Sequence, residues 1–517
     1  MANNTPFAAK VQQQQDLLRK ILKAGVGCSL FNQLGLGRLG SFKDFDILYQ
    51  GFCRAVPVQG PRIFMESLAK MLPQQGLAPL QVLQSPNLLV RGRPFAAVAW
   101  RNTPMPVNQG LLCDHVKVEE WLRDKLNAQG VGVKGSFFYL FEQETTKVDA
   151  GVGQPLPVPL KGWHELLETV PGWFWKKRKA LPVAASLPRG GSRWQWFNAM
   201  QDVLKAHGKE IDVLVTNPRT LIDFGLYVSQ QAGQFVPLKE LLPNLKVLAL
   251  NHYEIGLQRT ELGYLLHGLP QLRWIQWVYQ PTGLQMWQDD INIRQRLTCQ
   301  LESNVFYEFV PVEDIDAAGR FARTYRRFYA GQLELGKEYC VVVNNSAGLL
   351  GVSTGMLVKV LSLEPLQVLA KGPVVRLNGL GEGLREDALL EALANINSAL
   401  VGQGVFVREA LLGHNVQERQ PVWVLEVSRP LAELNDAVLD SIAKRMHAEL
   451  DLRAPYYRSS YRAAAFKPPK VHFVPMGTFA AAFTTTPDFS QFDHSPDASL
   501  CKRVLSAAWE TKAMEAV

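Results

Sequence analysis

Nowhere in the 517 residues does an uninterrupted apolar run approach the roughly 20 residues that cross a bilayer, so no membrane partner is expected. Residues 1–15 are polar and carry none of the apolar core of a secretory leader, which points to cytoplasmic residence. The six cysteines (Cys28, Cys53, Cys113, Cys299, Cys340 and Cys501) are scattered, with no C-x-x-C pair and no Cys/His spacing of a zinc site. Neither a disulfide framework nor a metal centre is expected, and buried thiols are the natural reading. Charge of one sign is also scarce: the formal net charge is only +8. Its densest cluster, Lys176-Lys177-Arg178-Lys179 after Trp173-Phe174-Trp175, has no nucleic-acid-binding signature around it. It is read as a solvated helix end, with docking of an anionic partner as the alternative, and nucleic acid is not expected. There is no internal repeat and no low-complexity tract beyond Gln12–Gln15.

What is present is core-forming material. Hydrophobic residues make up 47% of the chain, and single cores stop growing at about 250–300 residues, so two or three domains are expected. Leu17, Leu18, Ile21 and Leu22 recur at helical spacing before Gly25-Val26-Gly27 ends the run. A Gly-rich turn over Leu34 to Gly40 follows, then a helical stretch opening at Ser41 as N-cap. Leu88 to Trp100 and Phe137 to Phe141 read as strands separated by turns, Val152 to Pro159 as a loop, and Trp194 to Ala206 as a helix. An α/β alternation then sets in. Ile211 to Val215, Val247 to Leu250 and Trp274 to Val278 are continuous apolar strands, with helices at Leu221 to Gln231 and Arg259 to Leu266 between them. Ligands sit beyond the C-terminal ends of such strands, which directs attention to Thr216-Asn217, Asn251-His252-Tyr253 and Tyr279 to Gly283. Asn304 to Pro311, Glu338 to Val343 and Leu357 to Leu361 read as strands of a more antiparallel region. After a change near Leu366 to Pro373, helices (Glu386 to Leu393, Leu434 to Leu450, Cys501 to Glu515) and strands (Val422 to Val427, Val471 to Val474) predict a separate α+β domain.

Four ordered stretches carry a resemblance. They are Phe306-Tyr307-Glu308-Phe309-Val310-Pro311 with Gly336 to Val343; Ser346-Ala347-Gly348-Leu349 leading to Gly355-Met356-Leu357-Val358-Lys359-Val360; Gly381-Glu382-Gly383-Leu384-Arg385-Glu386-Asp387-Ala388-Leu389; and Pro468 to Phe479. Together they resemble the auxin-conjugating acyl-acid amido synthetases of the adenylate-forming ligase superfamily. No single piece is specific, and their order is what carries the likeness. The resemblance implies a large N-terminal α/β cleft domain with mostly parallel sheets over residues 1–370 and a smaller α+β lid over 371–517. It also implies adenylation of a carboxylic acid with ATP and magnesium, followed by transfer to an amine.

The sequence departs from that family where the nucleotide is held. The family's Ser-Ser-Gly-Thr-Thr turn should fall near Gln84 to Ala96, where Ser85, Arg91, Gly92 and Arg93 stand among bulky apolar residues. Arg91 and Arg93 could pair with an anion, or be ordinary surface charges. Tyr279-Gln280-Pro281-Thr282-Gly283 keeps the tyrosine, hydroxyl and glycine of the adenine-side turn but lacks its glutamate. At the ribose position Met356 replaces the aspartate. Methionine cannot accept strong hydrogen bonds from two hydroxyls, so Ser85 and Met356 mark degenerate nucleotide positions, and ATP and magnesium are disfavoured as cofactors.

For the acyl pocket, Tyr253, Tyr279, Thr282, Gly283, Met286 and Trp287 are the candidate substrate-binding residues. Trp274 and Trp277 face opposite sides of one strand, so at most one of them lines a pocket. Core packing is the competing reading for each. His252, at a strand end, is the first candidate acid–base group. Cys113 and His115 form a second candidate pair, on one face if their segment is extended. His472 reads as structural. The expected partners are a small carboxylic acid or acyl thioester and an amine acceptor, with an acyl carrier protein as a further candidate. Three classes stay open: an acyl-transferring or amide-forming enzyme using a preactivated donor, which this reading favours; an ATP-dependent ligase with an unusual nucleotide site; and a non-catalytic small-acid receptor.

Overall fold

The computed structural model describes residues 6–26, 29–71, 96–100, 103–107, 109–140, 193–253, 256–288, 296–345, 347–483 and 491–515. The calls on Cys28, Ser85, Arg91, Arg93, Val152 to Pro159 and the Lys176–Lys179 cluster lie outside these residues. The chain divides into two compact units. The first comprises Met1–Tyr253, Leu265–Asp314 and Arg323–Ala370, and the second Glu254–Tyr264, Ile315–Ala322 and Lys371–Val517. Among the described residues no helix is long and apolar enough to cross a membrane.

The first unit opens with α1 (Phe7–Ala24), which buries Leu18, Ile21 and Leu22 and stops at Gly25, whose N–H bonds to the Ile21 carbonyl. Gln14 is buried on the same face. Its carboxamide donates to the Leu301 and Val305 carbonyls (2.6 and 2.8 Å) and accepts from Tyr307 N (2.9 Å), fixing the helix to a strand. After α2 (Ser29–Gln33) comes α3 (Phe45–Ala55), capped by Asp44 rather than Ser41. The Asp44 carboxylate accepts from Asp46 N and Ile47 N, while the Ser41 hydroxyl turns back to the Arg38 carbonyl within a 3-10 turn. Helix α4 (Pro61–Met71) and the hairpin β1 (Ala96–Trp100) and β2 (Thr103–Val107) follow, and then α5 (Gln109–Ala128). Where turns were expected between two strands there is thus a 20-residue helix.

The main sheet has eleven strands among the described residues. In chain order after the hairpin they are β3 (Ser136–Leu140), β4 (Ile211–Thr216), β5 (Val247–Leu250), β6 (Arg273–Tyr279), β7 (Gln285–Trp287), β8 (Leu297–Cys299), β9 (Val305–Pro311), β10 (Phe328–Tyr329), β11 (Glu338–Asn345), β12 (Val352–Ser362) and β13 (Gln367–Pro373). Their spatial order is β10-β9-β11-β12-β13-β8-β7-β6-β5-β4-β3. Strands β3 to β6 are parallel, with the fully buried apolar character expected, and are connected through α6 (Arg193–His207) and α7 (Pro218–Ala232). From β6 onward the pairings run antiparallel. The sheet is therefore mixed, not mostly parallel. The reason is local: β6, β7 and β8 are joined by connections too short for a crossover helix, so each strand must reverse.

The second unit contains α8 (Arg259–Leu265) up to Tyr264, α9 (Glu386–Leu400), α10 (Asp436–Arg453), α11 (Pro455–Arg462), α12 (Thr478–Ala482) and α13 (Ser499–Glu515). Its three-stranded sheet, in the order β14 (Val407–Asn415), β15 (Gln420–Val427), β16 (Lys470–Val474), has β14 antiparallel and β16 parallel to the central strand. Leu411, Val424 and Val474 pack with Phe479, Phe483, Cys501 and Val504 in a core cluster. Burial holds His447, His472 and His494 below the usual imidazole pKa. His414 adds to the effect at His494, opposed by Asp493 and Glu382, and Lys470 adds to it at His472. A histidine whose folded pKa is depressed stabilises the fold above its unfolded value of about 6.5, and that contribution is lost as pH falls through this value toward the folded one. Hydrogen-exchange protection in the second unit, taken relative to the intrinsic exchange rate at each pH, is therefore expected to fall as pH drops from 7.5 to 5.5. Replacing the three histidines by glutamine should flatten that dependence, and an unchanged slope would refute the assignment.

Candidate functional site

The geometry of the first unit centres on α5 and the sheet face beneath it. His115, Glu119 and Arg123 recur every four residues, which places them on one side of the helix, and all three are buried. Glu119 accepts the Tyr139 hydroxyl proton. Tyr139 has one proton to give, so its oxygen takes the Nε2 proton of His115 (2.8 Å), and the result is a buried chain from imidazole through phenol to carboxylate. The His115 ring stacks on Trp277 (4.6 Å between centroids) and meets Tyr279 edge-on (5.0 Å). Burial, and then the Glu119 charge, push the Tyr279 hydroxyl well above its usual pKa, so it is a neutral donor at physiological pH.

The turn after β6 is held from a distance. Asn345, the last residue of β11, donates from Nδ2 to the Thr282 carbonyl (2.8 Å) and accepts from Ala347 N (2.9 Å) and Leu349 N (3.2 Å) on its Oδ1. One buried carboxamide thus ties the Tyr279-to-Gly283 turn to the Ala347-Gly348-Leu349 turn. Its neighbour Asn344 accepts from Gly351 N (2.7 Å) and donates to Glu308 Oε2 (2.7 Å). Glu308, in the middle of β9, forms a two-pronged ion pair with Arg327 at 3.0 and 2.5 Å, both side chains essentially without exposure. Arg327 also donates to the Val56 carbonyl, and the Cys53 thiol is pushed up to about 12 by burial and by the Glu308 charge, an effect opposed by Arg327. The Phe306–Pro311 strand, the Ala347-Gly348-Leu349 turn and the Tyr279-to-Gly283 turn are therefore held by the side chains of two adjacent residues, Asn344 and Asn345.

The sequence candidates distribute as follows. Cys113 and His115 lie on a helix, so residues two apart point about 200° apart, and the shared face that an extended segment gives them is absent. His115 instead joins the chain described above. The His252 ring stacks on Tyr253 (4.8 Å) at the end of β5, and Gln276 Nε2 donates to the Tyr253 carbonyl (2.9 Å). Tyr279 and Trp287 share a sheet face with Trp277, because Trp277 pairs with Trp287 and Tyr279 with Gln285. Met286, next to Trp287 and opposite Val278, projects from the other face. Thr282 and Gly283 are buried in the turn, and Met356 is buried on β12. Asn345, Glu119, Tyr139 and Arg327 were not singled out from the sequence. The spacing of His115, Glu119 and Arg123 was available as a signal once the segment is read as helix; the role of Asn345 was not.

The fold matches known ligases along nearly its whole length. The acyl acid amido synthetase AtGH3.15 in complex with 2,4-DB superposes with a TM-score of 0.70 at 13% identity, over 96% of this chain and 93% of that one. A 2-hydroxyisobutyryl-CoA ligase in the postadenylation state superposes at 0.57 and 11% identity, over 97% and 94%. The chain thus shares its fold with both of these ligases. Residues 298–367 match the GH3 family central domain. A search of curated protein sequences returns no match.

In the two turns where the resemblance implies acids that hold a nucleotide, the described residues Thr282, Gly283 and Met356 include no carboxylate. Gly283 has φ +95°, and a Cβ built there would lie 2.6 Å from Val305 Cγ2 and 3.1 Å from Leu111 Cδ2, so no side chain fits at that position. Met356 offers a thioether, and its N–H is taken by the Thr354 hydroxyl (3.1 Å). Among the described residues no three His, Cys, Asp or Glu side chains gather to hold a metal ion.

Proposed function

We propose that this protein is an amide-forming ligase of the acyl acid amido synthetase type, joining a small carboxylic acid to an amine. The observation that supports this reading is the Asn345 lock, which couples the turn after β6 to the turn after β11 in a chain that shares the ligase fold and matches the GH3 central domain. The stacked His115, Trp277 and Tyr279 beside that turn supply an apolar aromatic wall for the acyl group.

A second reading, an acyl thioester as preactivated donor, is favoured by the glycine at 283 and the methionine at 356. Charge-assisted contacts contribute about 1.5–3 kcal/mol each, so two fewer carboxylates weaken nucleotide binding by about two to four orders of magnitude. The test is product formation from a panel of carboxylic acids and amino acids with MgATP, run beside the matching acyl-coenzyme A thioesters with no nucleotide. Amide and AMP formation that saturates only at millimolar ATP supports the first reading. Amide from thioesters alone replaces it by the second, and product from neither sinks both.

A further inference from the structure

From Arg19 to Lys43 the chain carries five basic residues, Arg19, Lys20, Lys23, Arg38 and Lys43, and no acidic one, against a net charge of only +8 for the whole sequence. Local packing gathers them on the first unit. Arg19 donates to the carbonyls of Phe42 and Lys43 (2.5 and 2.6 Å), which fixes the C-terminal half of α1 against the segment that enters α3. Lys23, one helical turn beyond Arg19, runs beside Gly40: a Cβ built on that glycine would lie 3.4 Å from Lys23 Cγ. Lys20 and Val26, each three residues from Lys23, border the same face of the chain. Arg38 stands in the intervening 3-10 turn, Leu36–Ser41, and is exposed like Lys20, Lys23 and Lys43. None of these four makes an ion pair among the described residues. The neighbouring acids are engaged elsewhere: Asp44 caps α3, Asp46 accepts from the Tyr329 hydroxyl (3.5 Å) and Asp16 from the Gln12 amide (3.1 Å). Apolar side chains stand among the cations, with Phe42 42%, Val26 48% and Ile47 54% exposed. The turn itself projects, since a Cβ built on Gly35 or Gly37 meets nothing within 4 Å.

We propose that this projection docks the protein on an anionic lipid surface, with the cations against the head groups and Phe42 inserted between them. That no described helix is long and apolar enough to cross a bilayer leaves this open, because lying on one requires only cations and apolar side chains on a shared face. Charge complementarity selects an anionic partner: each Lys or Arg near an acidic leaflet strengthens binding about fivefold, or about 1 kcal/mol. The shape selects lipid over an acidic protein. Protein partners anchor a side chain in a well-packed pocket. Here the apolar side chains are themselves the anchors, exposed beside a projecting turn, and the bilayer interface takes in an aromatic ring without a preformed hole. The lysine stems add to this, since they lie along apolar surface while their ammonium groups reach the head groups. The inference is independent of the amide-ligase reading, because neither Asn345 nor the Tyr279-to-Gly283 turn belongs to the patch.

Co-sedimentation of the full chain with vesicles tests this, using phosphatidylcholine alone and phosphatidylcholine with about 30% phosphatidylserine. Binding is expected to the anionic vesicles and not to the neutral ones, and it should fall at least about tenfold between about 50 and 200 mM salt as the charges are screened. The Lys23→Gln/Arg38→Gln/Lys43→Gln variant should bind the anionic vesicles about 100-fold more weakly, and Phe42→Gln about fivefold more weakly. All four side chains are exposed, and thermal unfolding of both variants checks that the fold is kept. Poly-glutamate, a soluble polyanion, separates a lipid surface from an acidic protein: F42Q should leave its binding unchanged. No binding to anionic vesicles, equal binding to neutral ones, or a folded triple variant that binds like the parent overturns the inference. So does poly-glutamate binding as tight as vesicle binding with F42Q indifferent to both, which would assign the patch to an acidic protein.

Discussion

Arg327→Met is expected to destabilise the first unit by about 3–5 kcal/mol, because it strips the partner from a carboxylate that cannot reach water. Glu308 and Arg327 are 0 and 2% exposed in their side chains, and their two-pronged contact sits at the centre of β9. Burial works against the Arg327 charge, but the combined pull of Glu308, Cys53 and Tyr49 raises its pKa above the usual value, so the guanidinium stays charged in the fold. Removing the cation leaves Glu308 with the Asn344 amide and the Cys53 thiol for company. The carboxyl must then take up a proton at neutral pH, or the interior must open. The double variant Glu308→Gln/Arg327→Met should recover much of the loss, since two uncharged side chains leave no buried charge behind. Urea unfolding of the two variants side by side measures this. A single variant within about 1 kcal/mol of the parent would show that the pair is not the internal tie assigned here.

The same residues show why part of the fold is legible in the sequence and part is not. Val247 to Leu250 is read as a strand at the bounds the structure gives, and Ile211, Trp274 and Glu386 begin or nearly begin their elements where periodicity places them. These are buried strands and an amphipathic helix, whose patterns are set by burial alone. Helix α5 escaped because it buries polar as well as apolar residues: His115, Glu119 and Arg123 interrupt the apolar stripe that would announce it. Strand β14 escaped for a like reason, since Arg408, Glu409 and His414 are buried within it. The sheet's reversal after β6 depended on the length of two short connections rather than on any strand's own pattern. At the candidate site the aromatic residues could be found by type, but not sorted by face until β6 and β7 were paired, which separates Met286 from Trp287 and Tyr279. Asn345 was invisible, because one asparagine at a strand end looks like any other, and its importance comes from two turns that the sequence separates by more than sixty residues.

Asn345→Ala should therefore have a larger effect on function than on folding of the unit as a whole. The side chain satisfies one buried carbonyl and two buried N–H groups, those of Thr282, Ala347 and Leu349. Truncation leaves all three without it, for an expected loss of about 3 kcal/mol. The strain falls on the two turns, not on the sheet, because the β9–β11 pairing from Tyr339 to Asn345 uses backbone groups that the substitution keeps. If those turns frame the reacting groups, a displacement of about 1 Å is enough to lower turnover about 100-fold. Asn345→Asp separates the two links of the lock. Its carboxylate still accepts from Ala347 and Leu349, but it turns an oxygen toward the Thr282 carbonyl, so the second turn stays ordered while the turn after β6 is released. Hydrogen exchange should then quicken at residues 280–284 in N345D and at both turns in N345A, with kcat reduced in each. Turnover at the parent rate in a folded N345D would mean that the turn after β6 takes no part in the reaction.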